Sequence, residues 1–287
     1  MLSRRSFLKK AFGFLFVFMA IPTSVYYYAR EIEPKLLKVN NHSIQSSKID
    51  SAFDQFKIVH FSDTHIGFHY SLDQLNDLVE KINAENPDII CFTGDLIDNP
   101  DTFNDFNKVS VILRSLRAPY GKFWVYGNHD HGGYGTDRIK HTMESAHFTL
   151  LQNQSIPITK NGPKINIAGL DDGILGKPLI KETVKNISAD DFTCLLVHEP
   201  DLADQVKDFP VDVQLSGHSH GGQIRFPFIG SMITPRLARK YVDGVYHLNN
   251  DQMQLFVSRG IGTTRLPFRF FCKPEINVYT LEKFDHV

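Results

Sequence analysis

From about residue 56 onwards, short continuous apolar runs alternate with amphipathic stretches, the pattern of strands buried on both faces and the helices that cover them. Phe56 to Phe61 predicts a strand that stops at Ser62-Asp63. Leu72, Leu75, Leu78, Val79 and Ile82 recur at helical spacing and predict an amphipathic helix ending before Pro87. Asp88 to Phe92 predicts the next strand, closed by Thr93-Gly94-Asp95, and residues 103–116 a helix. Lys122 to Tyr126 predicts a strand closed by Gly127-Asn128-His129-Asp130, followed by a helix over 136–146. In the second half, residues 156–158 and 164–168 flank Asn161-Gly162 as a hairpin. Phe192 to Val197 and Val211 to Leu215 read as buried strands stopping at His198 and at Gly217-His218. Tyr241 to Leu248, Gln254 to Ser258 and Ile276 to Leu281 read as antiparallel strands. Strand–helix alternation with a strand-rich second half predicts an α/β fold, a four-layer α-β-β-α sandwich of two mixed sheets with flanking helices. No repeat or low-complexity tract divides residues 53–287, which read as one domain; the polar stretch within 31–52 reads as a linker.

Composition narrows this little. The apolar fraction of 42 % is that of a globular protein able to bury a core. A formal net charge of −1 gives no electrostatic reason to expect a nucleic-acid partner. Cys91, Cys194 and Cys272 form no CxxC pair and no even-numbered disulfide framework. The thirteen histidines matter more, because several fall in short Asp/Asn/His clusters.

Residues 1–30 read as an address. Ser3-Arg4-Arg5-Ser6-Phe7-Leu8-Lys9 resembles the twin-arginine export signal, and nineteen uncharged residues from Ala11 to Ala29 follow. At ~1.5 Å per residue these span about 28 Å, close to the hydrocarbon thickness of a bilayer. The run lacks an A-x-A-like cleavage site and ends in Tyr26-Tyr27-Tyr28 and Arg30, where an interfacial belt and a charged stop would sit. That favours an uncleaved anchor over a cleaved signal and leaves both open. The implied location is the extracytoplasmic face of a bacterial membrane, with the twin-arginine export machinery as a partner.

The chemistry collects where five strands stop: Asp63-Thr64-His65, Gly94-Asp95, Gly127-Asn128-His129-Asp130, His198-Glu199 and Gly217-His218-Ser219-His220. Ligands of open α/β sheets gather outside the carboxyl ends of strands, so all five can meet at one edge. Singly, a DxH, GD or HE is an ordinary turn; together, in order and all at strand ends, they describe a site. Imidazole, carboxylate and amide oxygen suit borderline first-row ions such as Mn²⁺, Fe and Zn²⁺, and no cysteine is placed for a thiolate zinc site. Asp95, isolated between flanking clusters, suits a carboxylate bridging two metals about 3.5–4 Å apart. Neither HExxH nor HxHxDH occurs, which disfavours a zinc protease or a β-lactamase-like hydrolase.

The order DxH, GD, GNHD, H, GHxH resembles the calcineurin-like metallophosphoesterases over about residues 56–281, and Gly221-Gly222-Gln223 with Ser258-Arg259-Gly260-Ile261-Gly262 resembles their exported or membrane-bound bacterial phosphodiesterase branch. The resemblance implies a metal-dependent phosphodiesterase or pyrophosphatase with two divalent ions, Mn²⁺ favoured. Asp63, His65 and His220 would hold one ion, Asn128, His198 and His218 the other, and Asp95 would bridge them. A metal-bound hydroxide would attack phosphorus, His129 would serve the leaving oxygen, and Asp130 would hydrogen-bond the His129 imidazole. The substrate class is a phosphodiester or pyrophosphate, with a UDP-diacylglucosamine-type lipid-linked pyrophosphate as one alternative and a non-catalytic metal-binding scaffold as another.

Three weaker signals remain. His131-Gly132-Gly133-Tyr134-Gly135 is either a wall over the substrate or a turn before a helix. Arg225, Arg265 and Arg269 are either contacts for phosphate or a charged head group or, by default, solvated surface. Leu266-Pro267-Phe268-Arg269-Phe270-Phe271 with Phe226-Pro227-Phe228-Ile229 is either core packing or an apolar lip that receives an acyl chain or touches a bilayer.

Overall fold

The computed structural model describes residues 4–132 and 135–284, with only the backbone described for 7, 8 and 10–17. A helix, α1 (Arg4–Tyr27), precedes β1 (Lys38–Ser46), β2 (Lys57–Phe61), α2 (Leu72–Ala84), β3 (Ile89–Phe92), α3 (Phe106–Arg114), β4 (Lys122–Trp124), α4 (Thr136–Ser145) and β5 (Phe148–Leu150). The second half carries β6 (Gln154–Thr159), β7 (Lys164–Gly169), α5 (Ile180–Val184), β8 (Thr193–Leu196), α6 (Ala203–Val206) and β9 (Val213–Ser216). A small hairpin, β10 (Arg225–Phe226) and β11 (Gly230–Ser231), comes before β12 (Gly244–Leu248), β13 (Met253–Val257) and β14 (Glu275–Lys283).

Two six-stranded sheets result, ordered β1-β14-β2-β3-β4-β5 and β12-β13-β9-β8-β7-β6. Strands β2 to β5 run parallel, as do β7, β8, β9 and β13, while antiparallel pairs occur at β14–β2, β12–β13 and β6–β7. Alternation along each strand sends side chains to two layers. In β2, Val59 and Phe61 pack with Leu75, Leu78 and Ile82 of α2. Ile58 instead faces the core between the sheets, with Phe123, Phe192, Cys194, Leu215 and Phe256. A third cluster joins β7, β8 and β13 to α5 and α6. These are the four layers expected. Helix α2 begins where Ser71 and Gln74 form a reciprocal capping box, and its four buried residues share one stripe.

Two expectations are corrected. The stretch 31–52, read as a linker, holds strand β1, which pairs in parallel with β14 from Lys38↔Glu275 to Ser46↔Lys283. It reads as polar because an edge strand buries little; Ile44 is its one buried residue. Before it, Glu33 is buried and its carboxylate accepts from the Cys272 backbone N–H, while Ala29 O accepts from Arg269 N at 2.8 Å. The last three strands are also not one antiparallel set, because β13 is parallel to β9 and β14 crosses to the first sheet. Among the described residues, no helix is long and apolar enough to cross a membrane. Ser3 and the side chains of 7, 8 and 10–17, on which much of the expected export signal rests, lie outside the described residues.

His60 sits in the inter-sheet layer, buried, with Nε2 2.8 Å from Thr93 Oγ1. Burial, reinforced by His42, lowers its pKa to about 3. Above pH 6.5 the imidazole is neutral folded or unfolded; between 6.5 and about 3 only the unfolded chain takes up the proton, so stability falls as pH falls. From pH 6.5 to 5.5, wild type should lose about 1 kcal/mol more stability than His60→Gln, measured by urea unfolding. Equal losses would show that His60 charges within the folded protein.

Candidate metal centre

Every cluster read from the sequence arrives at the carboxyl edge of its sheet. Asp63 and His65 follow β2, Asp95 follows β3, Asn128 to Asp130 follow β4, His198 follows β8, and His218 and His220 follow β9. Because the sheets face each other, three ends come from one sheet and two from the other. Asp63, His65, Asp95, His218 and His220 all have φ between 42° and 65°. A non-glycine residue there costs on the order of 1 kcal/mol or more, and such strain concentrates at functional sites. Close approach also demands glycine: a side chain on Gly127 would meet the Asp95 carboxylate, and one on Gly217 the Asp63 carboxylate.

The expected ligands converge in two groups, Asp63, His65 and His220, and Asp95, His198 and His218, while His65 also meets Asp98 and His129 in a third. Within them His65 Nε2 lies 3.0 Å from His220 Nε2, and His218 Nδ1 3.1 Å from His198 Nε2. Asp95 Oδ2 stands 3.4 Å from both His65 Nε2 and His198 Nε2, so one carboxylate oxygen borders both groups. Outer partners orient three rings: His65 Nδ1 faces Asp98 Oδ1 at 3.1 Å, His198 Nδ1 donates to Thr93 O at 2.6 Å, and His218 Nε2 donates to Arg236 O at 2.8 Å. Each leaves its remaining nitrogen pointing inward. Asn128 Oδ1 is buried without a hydrogen-bond partner. Inward nitrogen lone pairs, carboxylates and an orphaned amide oxygen are a donor set that divalent cations satisfy, so the residues fit the metals the sequence implied.

The electrostatics are those of packed opposite charges. Burial would raise the Asp95 carboxyl, but His198, His129 and His65 hold it well below the usual carboxylate range. Burial lowers His198, and Asp95 more than offsets this, raising it well above the usual imidazole range. His129 is likewise raised, Asp95 and Asp98 prevailing over burial.

Asp130 does not do what was expected of it. Its carboxylate accepts backbone N–H bonds from Asp95 (2.6 Å), Leu96 (2.9 Å) and Gly127 (3.1 Å), tying the ends of β3 and β4 together. Burial, then Asp95, pushes its pKa up to about 7. The partner of His129 is Asp98: His129 Nδ1 donates to Asp98 O at 2.6 Å, and the Asp98 carboxylate lies 3.9 Å away. Sequence reading passed over Asp98; its spacing, three residues beyond Asp95 at the same strand end, was the available signal. Arg269 is also corrected. It is fully buried and donates to the carbonyls of Gly262, Cys272 and Arg259, bracing the loop behind Asp63. In the stretch 131–135, His131 Nε2 meets Asp171 Oδ1 at 3.1 Å, while Gly133 and Tyr134 lie outside the described residues.

A cavity of about 320 Å³ opens over the centre. Asp95, Asn128, His129, His218 and His220 line it together with the apolar Met232, Ile233, Pro235 and Leu266.

A family model for calcineurin-like phosphoesterases matches residues 56–222. The uncharacterized metallophosphoesterase YkuE of Bacillus subtilis is 47 % identical over 98 % of each chain. Phosphodiesterase YaeI of Escherichia coli is 27 % identical over 98 % of this chain and all of its own. The UDP-2,3-diacylglucosamine pyrophosphatase LpxG of Chlamydia muridarum is 28 % identical over 90 % and 93 % of the two chains. The chain belongs to the calcineurin-like phosphoesterases.

Since the Asp98 carboxylate orients His65, Asp98→Ala should weaken divalent-cation binding roughly 10–100-fold with the fold intact by circular dichroism. Isothermal titration measures this; unchanged affinity would mean that His65 needs no outer partner.

Proposed function

We propose that this phosphoesterase hydrolyses a phosphodiester or pyrophosphate bond with two divalent cations, Mn²⁺ favoured. The observation that carries the reading is the position of Asp95 Oδ2, equidistant from His65 and His198 between the two ligand groups. Asp63, His65 and His220 would hold one cation, Asn128, His198 and His218 the second, with Asp95 shared. Bound there, the cations would activate water near neutral pH and neutralise charge on the phosphoryl group. His129 presents its unbonded Nε2 toward the cavity, and the Asp95 and Asp98 charges that favour its protonated form equip it to give a proton to the leaving oxygen. Asp98 O fixes that ring through Nδ1, and Asp130 holds the backbone that carries both Asp95 and His129.

The diester reading draws support from the name of the Escherichia coli relative, and a lipid-linked pyrophosphate from the apolar residues of the cavity lining together with the name of the Chlamydia relative. Arg4-Arg5 and the apolar run after them support export by the twin-arginine route to the outer face of the cytoplasmic membrane. Export of that kind speaks against a cytoplasmic lipid A step.

Bis-p-nitrophenyl phosphate is the first substrate to try, with the whole chain rather than residues 31–287, since a cut there removes the Ala29 carbonyl that Arg269 uses. We expect turnover that requires Mn²⁺, stops on chelation, and falls about 10²–10⁴-fold in His129→Ala. Asp95→Asn should lose both turnover and one of two Mn²⁺ equivalents. A folded protein that binds Mn²⁺ without any turnover would favour the scaffold reading.

A further inference from the structure

Directly after the ligand His220 the chain builds a ridge. Gln223 clamps Thr264 through both amide atoms (3.0 and 2.9 Å), and backbone bonds join Arg225 N to Phe270 O and Phe270 N to Gln223 O, each at 2.9 Å. The β10–β11 hairpin and the 264–271 loop are thereby one unit, fixed to the metal-centre wall. Its outward side chains are apolar. Phe228 at the hairpin tip is fully exposed, Ile229 71 %, Met232 62 % and Ile233 74 % exposed, and Leu266 and Phe271 stand beside them more than half exposed. Held rigidly in water, such a surface has no reason to stay uncovered.

Three observations say what covers it. The Tyr26 ring packs edge-on against Phe268 at 5.3 Å and Ala29 O binds Arg269 N, so the end of α1 joins the ridge and adds exposed Tyr26 and Tyr27. Arg265, which lines the cavity, and Arg236, next to the lining residue Pro235, are exposed at the same mouth, the charge that anionic headgroups attract. Met232, Ile233 and Leu266 belong at once to the ridge and to the cavity, so apolar side chains continue from the outer surface into the cavity that His129 also lines.

We propose that this ridge seats in the interfacial layer of an anionic lipid bilayer and that the substrate is an amphiphilic phosphoester drawn from it, with the phosphoryl group at the metal centre and the start of its apolar chain along Ile233 and Leu266. The seating stands by itself; the substrate class rests on the phosphoesterase reading above.

The three native cysteines are buried, which leaves a cysteine introduced by Phe228→Cys as the reactive one for an environment-sensitive fluorophore on the whole chain. Adding vesicles of phosphatidylglycerol and phosphatidylethanolamine should blue-shift and strengthen its emission. The same label placed by Asn161→Cys, in the hairpin turn at the other end of the strands, should not respond. No response at 228 overturns the docking, even where α1 alone carries the protein to the vesicles. For the substrate, Ile229→Asp should keep bis-p-nitrophenyl phosphate turnover within about two-fold and lose at least ten-fold on a long-chain phosphodiester embedded in those vesicles. Equal loss on both substrates, or none on either, overturns delivery from the bilayer. Absence of soluble-ester turnover in wild type would instead count against the phosphoesterase reading while the fluorescence still reports docking.

Discussion

Asp95 is the residue on which the remaining geometry depends. Its Oδ2 borders both ligand groups, its Oδ1 accepts from His129 N at 2.8 Å, its carbonyl accepts from His65 N at 3.1 Å, and its own N–H is held by Asp130. A carboxylate so placed in a buried site requires cationic compensation. The imidazoles that face it arrive from both sheets, which is possible because the apolar layer between the sheets sets their edges side by side. Sheet packing therefore positions the chemistry as much as any local motif does. The same dependence explains the strain: Asp95 must turn sharply out of β3, at φ 61°, to aim its carboxylate between the groups, and the fold tolerates this because Asp130 fixes the peptide on either side.

What was legible in the sequence follows from how local each signal is. Strands β2, β3, β4, β8 and β9 are continuous apolar runs with polar ligands immediately beyond, so both element and site could be read within a dozen residues. Strand β1 could not: its pairing partner lies more than two hundred residues away and its edge position leaves it polar. Arg269 and Cys272 look like loop residues until Gly262, Arg259, His220 and Glu33 are brought around them. Assigning Asp130 to the His129 ring was reasonable from adjacency alone. Neighbouring side chains after a strand diverge, however, and the ring found its acceptor in the loop after the preceding strand instead.

The segment after α1 links two parts of the molecule that the sequence separates. Glu33 accepts from Cys272 N–H, Cys272 Sγ donates to His220 O at 3.2 Å, and Arg269 binds both Ala29 O and the loop behind Asp63. The segment that follows α1 is thus joined by a short chain of buried hydrogen bonds to the backbone of His220. Such bonds in a low-dielectric interior are costly to leave unmade, so this segment is part of the folded domain and not a tether. The consequence is orientational. A flexible linker would let the metal centre face any direction relative to a bilayer, whereas residues 29–46, packed against the 269–283 stretch, hold the cavity mouth, the exposed tyrosines at the end of α1 and the apolar ridge in one fixed relation.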